Sequence, residues 1–217
     1  MFEPEEQKKD DDFMEKKVWE AQIRQPKNFF KPALGSELQP KLDLNLEFVW
    51  GYRARDMRNN IKYLDDGRVF YNAAALGIIM NTEVTSSGAS KSTQKFFNKH
   101  SNDVISTAVS PDGKIVATGE IGAAPKIYTW DSSSMLVISV MSDGLITGVA
   151  NLAFSSTGEK PLATCLNDLH QVCIFNVIQG LLIASAKGGN NRILNAKLVS
   201  DTDFVTVWIN HSQFLKQ

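Results

Sequence analysis

The sequence predicts an all-β fold of repeated antiparallel sheets, on three observations. Turn glycines recur at a near-constant interval, short apolar-alternating runs flank each of them, and the runs follow the same order each time. The turns are Asp66-Gly67, Asp112-Gly113 and Thr157-Gly158, spaced 46 and then 45 residues apart. A period of about 40–45 residues with several short strands per unit marks the blades of a β-propeller. Asp-Gly supplies the positive-φ positions that a tight hairpin turn needs. A β-sandwich with coincidental spacing is the alternative reading of the same strands.

The elements follow in order. A first strand precedes each glycine, at 60–64, 106–110 and 151–155. A second follows it, at 69–73, 115–119 and 162–165, and a third comes at 77–81, 126–131 and 171–176. A fourth unit begins at 193–198 and continues through 204–208, which gives about three and a half blades over residues 45–217. Propellers close with 4–8 blades, so the ring is expected to be completed by further sequence or by another chain. Open sheet edges and an open apolar wall would otherwise invite aggregation.

Residues 1–44 read differently. The first twenty carry eight acidic residues against four lysines. Phe13, Met14, Val18, Trp19 and Ile23 fall near helical spacing, which predicts a short helix over 13–23 that Pro26 ends. Beyond it, Phe29 and Phe30 lie among prolines and a glycine in an extended arm. Trp19, Phe29 and Phe30 are costly to leave in water, so the arm is expected to lie either on its own domain or on a partner.

The second repeat carries the punctuation of WD-type blades. His100 precedes its first strand, Ser110-Pro111-Asp112-Gly113 forms its first turn and Trp130-Asp131 closes its third strand. In such blades a histidine, a strand hydroxyl, a turn aspartate and the tryptophan form a buried hydrogen-bond chain. His100, Thr118 and Trp130 supply three of the four, but the turn at 120–125 has no aspartate. The next repeat has the opposite defect, with Asp168 as a turn carboxylate and Phe175-Asn176 in place of Trp-Asp. Both blades are expected to be held mainly by packing.

Residues 47–60 contain Gly51, Tyr52, Arg53, Arg55 and Asp56 in the order Gly-Tyr-Arg-x-Arg-Asp. This string resembles the HELP motif that opens the propeller region of the EMAP-like (echinoderm microtubule-associated protein-like) family. The resemblance covers roughly residues 45–215. It implies a non-enzymatic scaffold of the cytoplasm and cytoskeleton, whose partners are tubulin, microtubules or microtubule-bound proteins. A structural role in the ciliary axoneme is the narrower reading. A generic WD-repeat interaction module in a soluble cytoplasmic complex is the other one. Tubulin's outer surface is acidic and would repel the acidic N-terminus, so direct contact is assigned to the basic strip Arg53, Arg55, Arg58, Lys62 and Arg68. For Arg53, Arg55 and Asp56 an ion pair that fixes the closing strand is the competing role. Alternation puts Asp56 opposite the two arginines unless the chain bends.

Composition and motifs point away from other classes. The formal net charge is −1, which gives no global field to draw in nucleic acid or an acidic membrane. No apolar run approaches the roughly 18 residues of a membrane span, and the acidic N-terminus lacks a signal core. Cys165 and Cys173 read as reduced, half-buried thiols. His100, His170 and His211 are isolated, and no nucleophile, phosphate-loop or zinc signature is present. No catalytic, metal or cofactor residue is expected.

Overall fold

The glycine turns lie where the repeat puts them. Gly67, Gly113 and Gly158 have φ of 82°, 68° and 78°, values that cost a side-chain-bearing residue strain. Each closes its turn the same way: Gly67 N donates to Leu64 O, Gly113 N to Ser110 O and Gly158 N to Ser155 O, at 2.9–3.0 Å. The computed structural model describes residues 44–216 apart from 85, 87, 189, 190, 201, 209 and 210. The expected helix over 13–23 and the anchors Trp19, Phe29 and Phe30 lie outside the described residues.

Around these turns the chain forms four antiparallel meanders. The first is β1 (Ile61–Tyr63), β2 (Val69–Ala73), β3 (Leu76–Val84) and β4 (Ser90–Phe97). The second is β5 (Val104–Val109), β6 (Ile115–Glu120), β7 (Ile127–Asp131) and β8 (Val137–Met141). The third is β9 (Val149–Phe154), β10 (Pro161–Cys165), β11 (Val172–Phe175) and β12 (Leu182–Ala186). The fourth has three strands, β13 (Ile193–Leu198), β14 (Asp203–Trp208) and β15 (His211–Lys216). The described residues are all-β without a helix, and the sheets are those of a partial WD-type propeller.

Apolar residues recur on both faces of these strands, because each inner sheet is sandwiched between two neighbours. Phe70, Ile79 and Phe97 of the first sheet pack on Val116 and Trp130 of the second. Trp130 is fully buried, stacked on Phe97 at 4.7 Å and met edge-on by Phe70 at 5.7 Å. Ala117, Ile127 and Met141 meet Val149, Leu152 and Ala163 between the second and third sheets. Leu162, Val172 and Ile174 meet Ile193, Ala196, Phe204 and Trp208 between the third and fourth. Close approach sets some residue types: a Cβ on Gly119 would lie 2.7 Å from Val149 Cβ in the next sheet. On the far side of the fourth sheet Val207 and Phe214 face solvent, at 41% and 80% exposure.

Candidate functional site

The second sheet contains a continuous buried hydrogen-bond chain. Trp130 Nε1 donates to Thr118 Oγ1 at 3.1 Å. The Thr118 hydroxyl lies 2.7 Å from His100 Nε2, and His100 Nδ1 lies 3.0 Å from Glu120 Oε2. With Thr118 donating to Nε2, the neutral imidazole carries its proton on Nδ1 and donates it to Glu120. Burial outweighs the neighbouring carboxylate and lowers the His100 pKa, in keeping with that neutral form. The Glu120 carboxylate is 1% exposed and also accepts backbone N–H groups of Ser101 and Asn102 on Oε2 and of Lys126 on Oε1. The chain therefore has a fourth member, Glu120, in the role for which sequence reasoning found no aspartate. Polar connection as well as packing holds this blade.

The segment from Phe48 to Asp56 is tied to the first sheet. Val49 N donates to Gln94 Oε1 at 2.7 Å, and Gln94 Nε2 donates back to Val49 O at 2.9 Å and to the Tyr71 hydroxyl at 2.7 Å. Arg53 N donates to Asn72 O. Tyr71 and Gln94 lie on the face opposite Phe70 and Phe97, so the segment crosses the side of the first sheet that faces away from the second. Trp50 and Tyr52 remain exposed at 90% and 54%. The chain bends at residues 55–56, which brings Asp56 round to Arg53. Arg53 Nε and Nη2 then bond the two carboxylate oxygens of Asp56, each at 2.7 Å, and Nη1 bonds Asp103 Oδ2 at 2.6 Å. These hydrogen bonds raise the Arg53 pKa and hold the Asp56 carboxyl below its ordinary value. Nothing around Gly51 requires a glycine: its φ is not positive, and a Cβ added there would meet no atom within 4 Å beyond its chain neighbours.

The basic strip divides into two sets. Arg53 is spent on Asp56 and Asp103. Arg68 is spent on Asp66 at 2.6 Å and on the turn after β7, through Ser132 O at 3.0 Å and Ser133 Oγ at 3.1 Å. Arg55, Arg58 and Lys62 instead line a groove of ≈ 880 Å³ along the inner strands of the four sheets. Arg192 and Lys197, which sequence reasoning missed, line it as well. A signal for Lys197 existed, since three 45-residue periods from Lys62 end on it.

The remaining candidates have local roles. Asp131 Oδ1 caps the turn that follows it, accepting from Ser133 N at 3.1 Å and Ser134 N at 2.7 Å. Asp168 is exposed, and the turn carboxylate role assigned to it falls to the side-chain oxygen of Asn167, which accepts Gln171 N at 3.1 Å. Cys165 and Cys173 are free and more deeply buried than expected, at 2% and 0% exposure. Contact with Cys165, together with burial, pushes the Cys173 thiol up, away from reactive thiolate. Among the described residues, no three His, Cys, Asp or Glu side chains gather as a metal set.

Four meandering sheets headed by the Phe48–Asp56 segment define a WD-type propeller protein that opens with a HELP motif. The family model for the HELP motif matches residues 39–78, a stretch that includes that segment and ends in β3. The resemblance to the EMAP-like family is borne out by similar proteins. The ciliary WD repeat-containing protein ctxp80 of Euplotoides octocarinatus is 29% identical across 93% of this chain. Echinoderm microtubule-associated protein-like 3 of Homo sapiens is 28% identical across 71% of it. The 77 kDa echinoderm microtubule-associated protein of Strongylocentrotus purpuratus is 26% identical across 81%. The chain spans 29%, 18% and 26% of the lengths of these three relatives.

Proposed function

We propose that the protein is a non-enzymatic, microtubule-associated scaffold of the cytoskeleton, with the ciliary axoneme as its narrower setting. The observation that carries this reading is the HELP match over residues 39–78 at the head of a propeller, a combination that the similar proteins named for microtubules and cilia support. Partners are microtubules or proteins bound to them. Docking falls to the groove cations and to the exposed ring of Trp50, while Arg53 and Arg68 act inside the fold. The exposed Val207 and Phe214 face takes a further blade, from more sequence or from another chain.

Co-sedimentation tests the scaffold reading. The full chain is spun with stabilised microtubules, alone and with ciliary extract, and the pelleted fraction is measured. Pelleting in either condition is expected. A chain that stays in the supernatant in both, yet forms a stoichiometric soluble complex, would make it a generic WD-repeat interaction module instead. The unpartnered apolar face favours a protein partner under both readings.

A further inference from the structure

The groove along the inner strands has a charge the whole chain lacks. The chain carries 23 basic and 24 acidic residues. Five cations line the groove, Arg55, Arg58 and Lys62 from one side and Arg192 and Lys197 from the other, against the single carboxylate of Asp56. That carboxylate is already held by Nε and Nη2 of Arg53. None of the five cations has an ion pair among the described residues, whereas Arg53, Arg68 and Lys114 each have an aspartate. Lys62 is the most informative. It is half-buried, and desolvation alone lowers its pKa, so the fold holds an ammonium partly out of water without a counter-ion. A charge in that position costs stability unless something outside the chain pairs with it.

We infer that this groove binds an acidic peptide segment, with glutamate or aspartate carboxylates seated on the five cations. The proposal rests on the scaffold reading in assigning the strip to partner contact, and it gives the partner's chemistry. The volume of ≈ 880 Å³ lies within the range of specific ligand sites and suits a short peptide stretch. Asn151 and Asn195 bridge the third and fourth sheets inside it, Nδ2 to Oδ1 at 2.6 Å. Each keeps further amide hydrogen-bonding capacity, which matches the N–H and C=O groups of a peptide backbone. The aromatic ring lining the groove, Phe154, is 8% exposed and offers no face for base stacking. Single-stranded nucleic acid relies on such faces, so the peptide is the better fit to this positive field.

Fluorescence anisotropy of a labelled deca-glutamate peptide with the full chain tests the proposal. The peptide is expected to bind and to weaken as salt rises. Lys62→Met and the exposed pair Arg55→Gln/Arg58→Gln should each weaken binding about tenfold or more, the scale of one charge-assisted hydrogen bond. Lys91→Gln/Lys99→Gln, away from the groove, should change it less than about twofold, as rim charges do. Thermal melting separates binding from folding, because Lys62→Met should melt no lower than the parent. Absence of peptide binding at low salt overturns the proposal. So does equal weakening by the Lys91/Lys99 control, and so does an oligouridylate that binds more tightly than the peptide. Microtubule pelleting without peptide binding sinks the groove proposal alone. Peptide binding without pelleting sinks the scaffold reading alone.

Discussion

Thr118→Val interrogates the buried chain from Trp130 to Glu120. Valine matches threonine in shape, so the change leaves no cavity and removes only the hydroxyl. That hydroxyl holds Trp130 Nε1 at 3.1 Å and His100 Nε2 at 2.7 Å. Trp130 is 0% exposed and the His100 side chain 0% exposed, so water cannot replace what is lost. An orphaned buried polar group costs about 1–3 kcal/mol, and two are orphaned, so the expected loss is about 2–6 kcal/mol. That is a large share of the 5–15 kcal/mol typical of a folded domain. Urea unfolding followed by circular dichroism at pH 7 and fixed protein concentration measures it, with the m-value unchanged. Trp130→Phe removes the donor together with its need, so in a double-mutant cycle the two changes should couple by at least about 1 kcal/mol. A Thr118→Val loss below about 0.5 kcal/mol, or strict additivity, would refute the chain as a stabilising unit.

The remaining expectations concern pH, charge and close packing. His100 has a folded pKa below its unfolded value near 6.5, so its neutral form contributes stability above that pH, and the contribution is lost as pH falls towards the folded value. Melting scans from pH 7.5 to 5 should therefore slope more steeply in the parent than in His100→Gln, and equal slopes would contradict the assignment. Lys62→Met should keep or raise the melting temperature, because it removes a half-buried charge that has no partner. A fall of several degrees would mean that the ammonium is satisfied within the fold. Gly119→Ala drives a methyl group to 2.7 Å from Val149 Cβ and should cost about 1–3 kcal/mol in chemical denaturation. Arg53→Lys keeps a positive charge but cannot span Asp56 and Asp103 together, so it should loosen the HELP segment. Faster proteolysis around residues 50–58 than in the parent would report that loosening.

Much of the fold was legible because its determinants are local. A positive-φ turn needs glycine, and that need recurs with each blade at Gly67, Gly113 and Gly158. The fourth blade hid its turn because position 203, one period beyond Gly158, is not a glycine: Asp203 already opens β14, and its carbonyl accepts the Val199 N–H as those of Ile115 and Lys160 accept from Ser110 and Ser155. Ser200 serves there as Ser110 and Ser155 do earlier, its hydroxyl accepting the Asp203 N–H at 2.9 Å. His100, Thr118 and Trp130 were legible from residue type and order. Glu120 was not, since a longer side chain reaches the imidazole from the end of β6 rather than from the following turn. The strip was only half legible. Arg53 and Asp103 are fifty positions apart, and only the pairing of the first two sheets brings them to 2.6 Å. Arg192 acquires meaning only once four inner strands share one groove.

The hydrogen bonds from Val49 to Gln94 and from Arg53 to Asn72 give the array a direction. The HELP segment crosses Tyr71 and Gln94 on the outward face of the first sheet, where Ile61 and Tyr63 stay exposed at 47% and 78%, and the outward face of the fourth sheet exposes Val207 and Phe214. Stacked repeats add units wherever an apolar face is bare and stop where one is capped. Both outward faces keep apolar side chains bare, but only the first carries a strap of backbone across it. A blade that closed the ring would meet two unlike surfaces, one strapped and one plain.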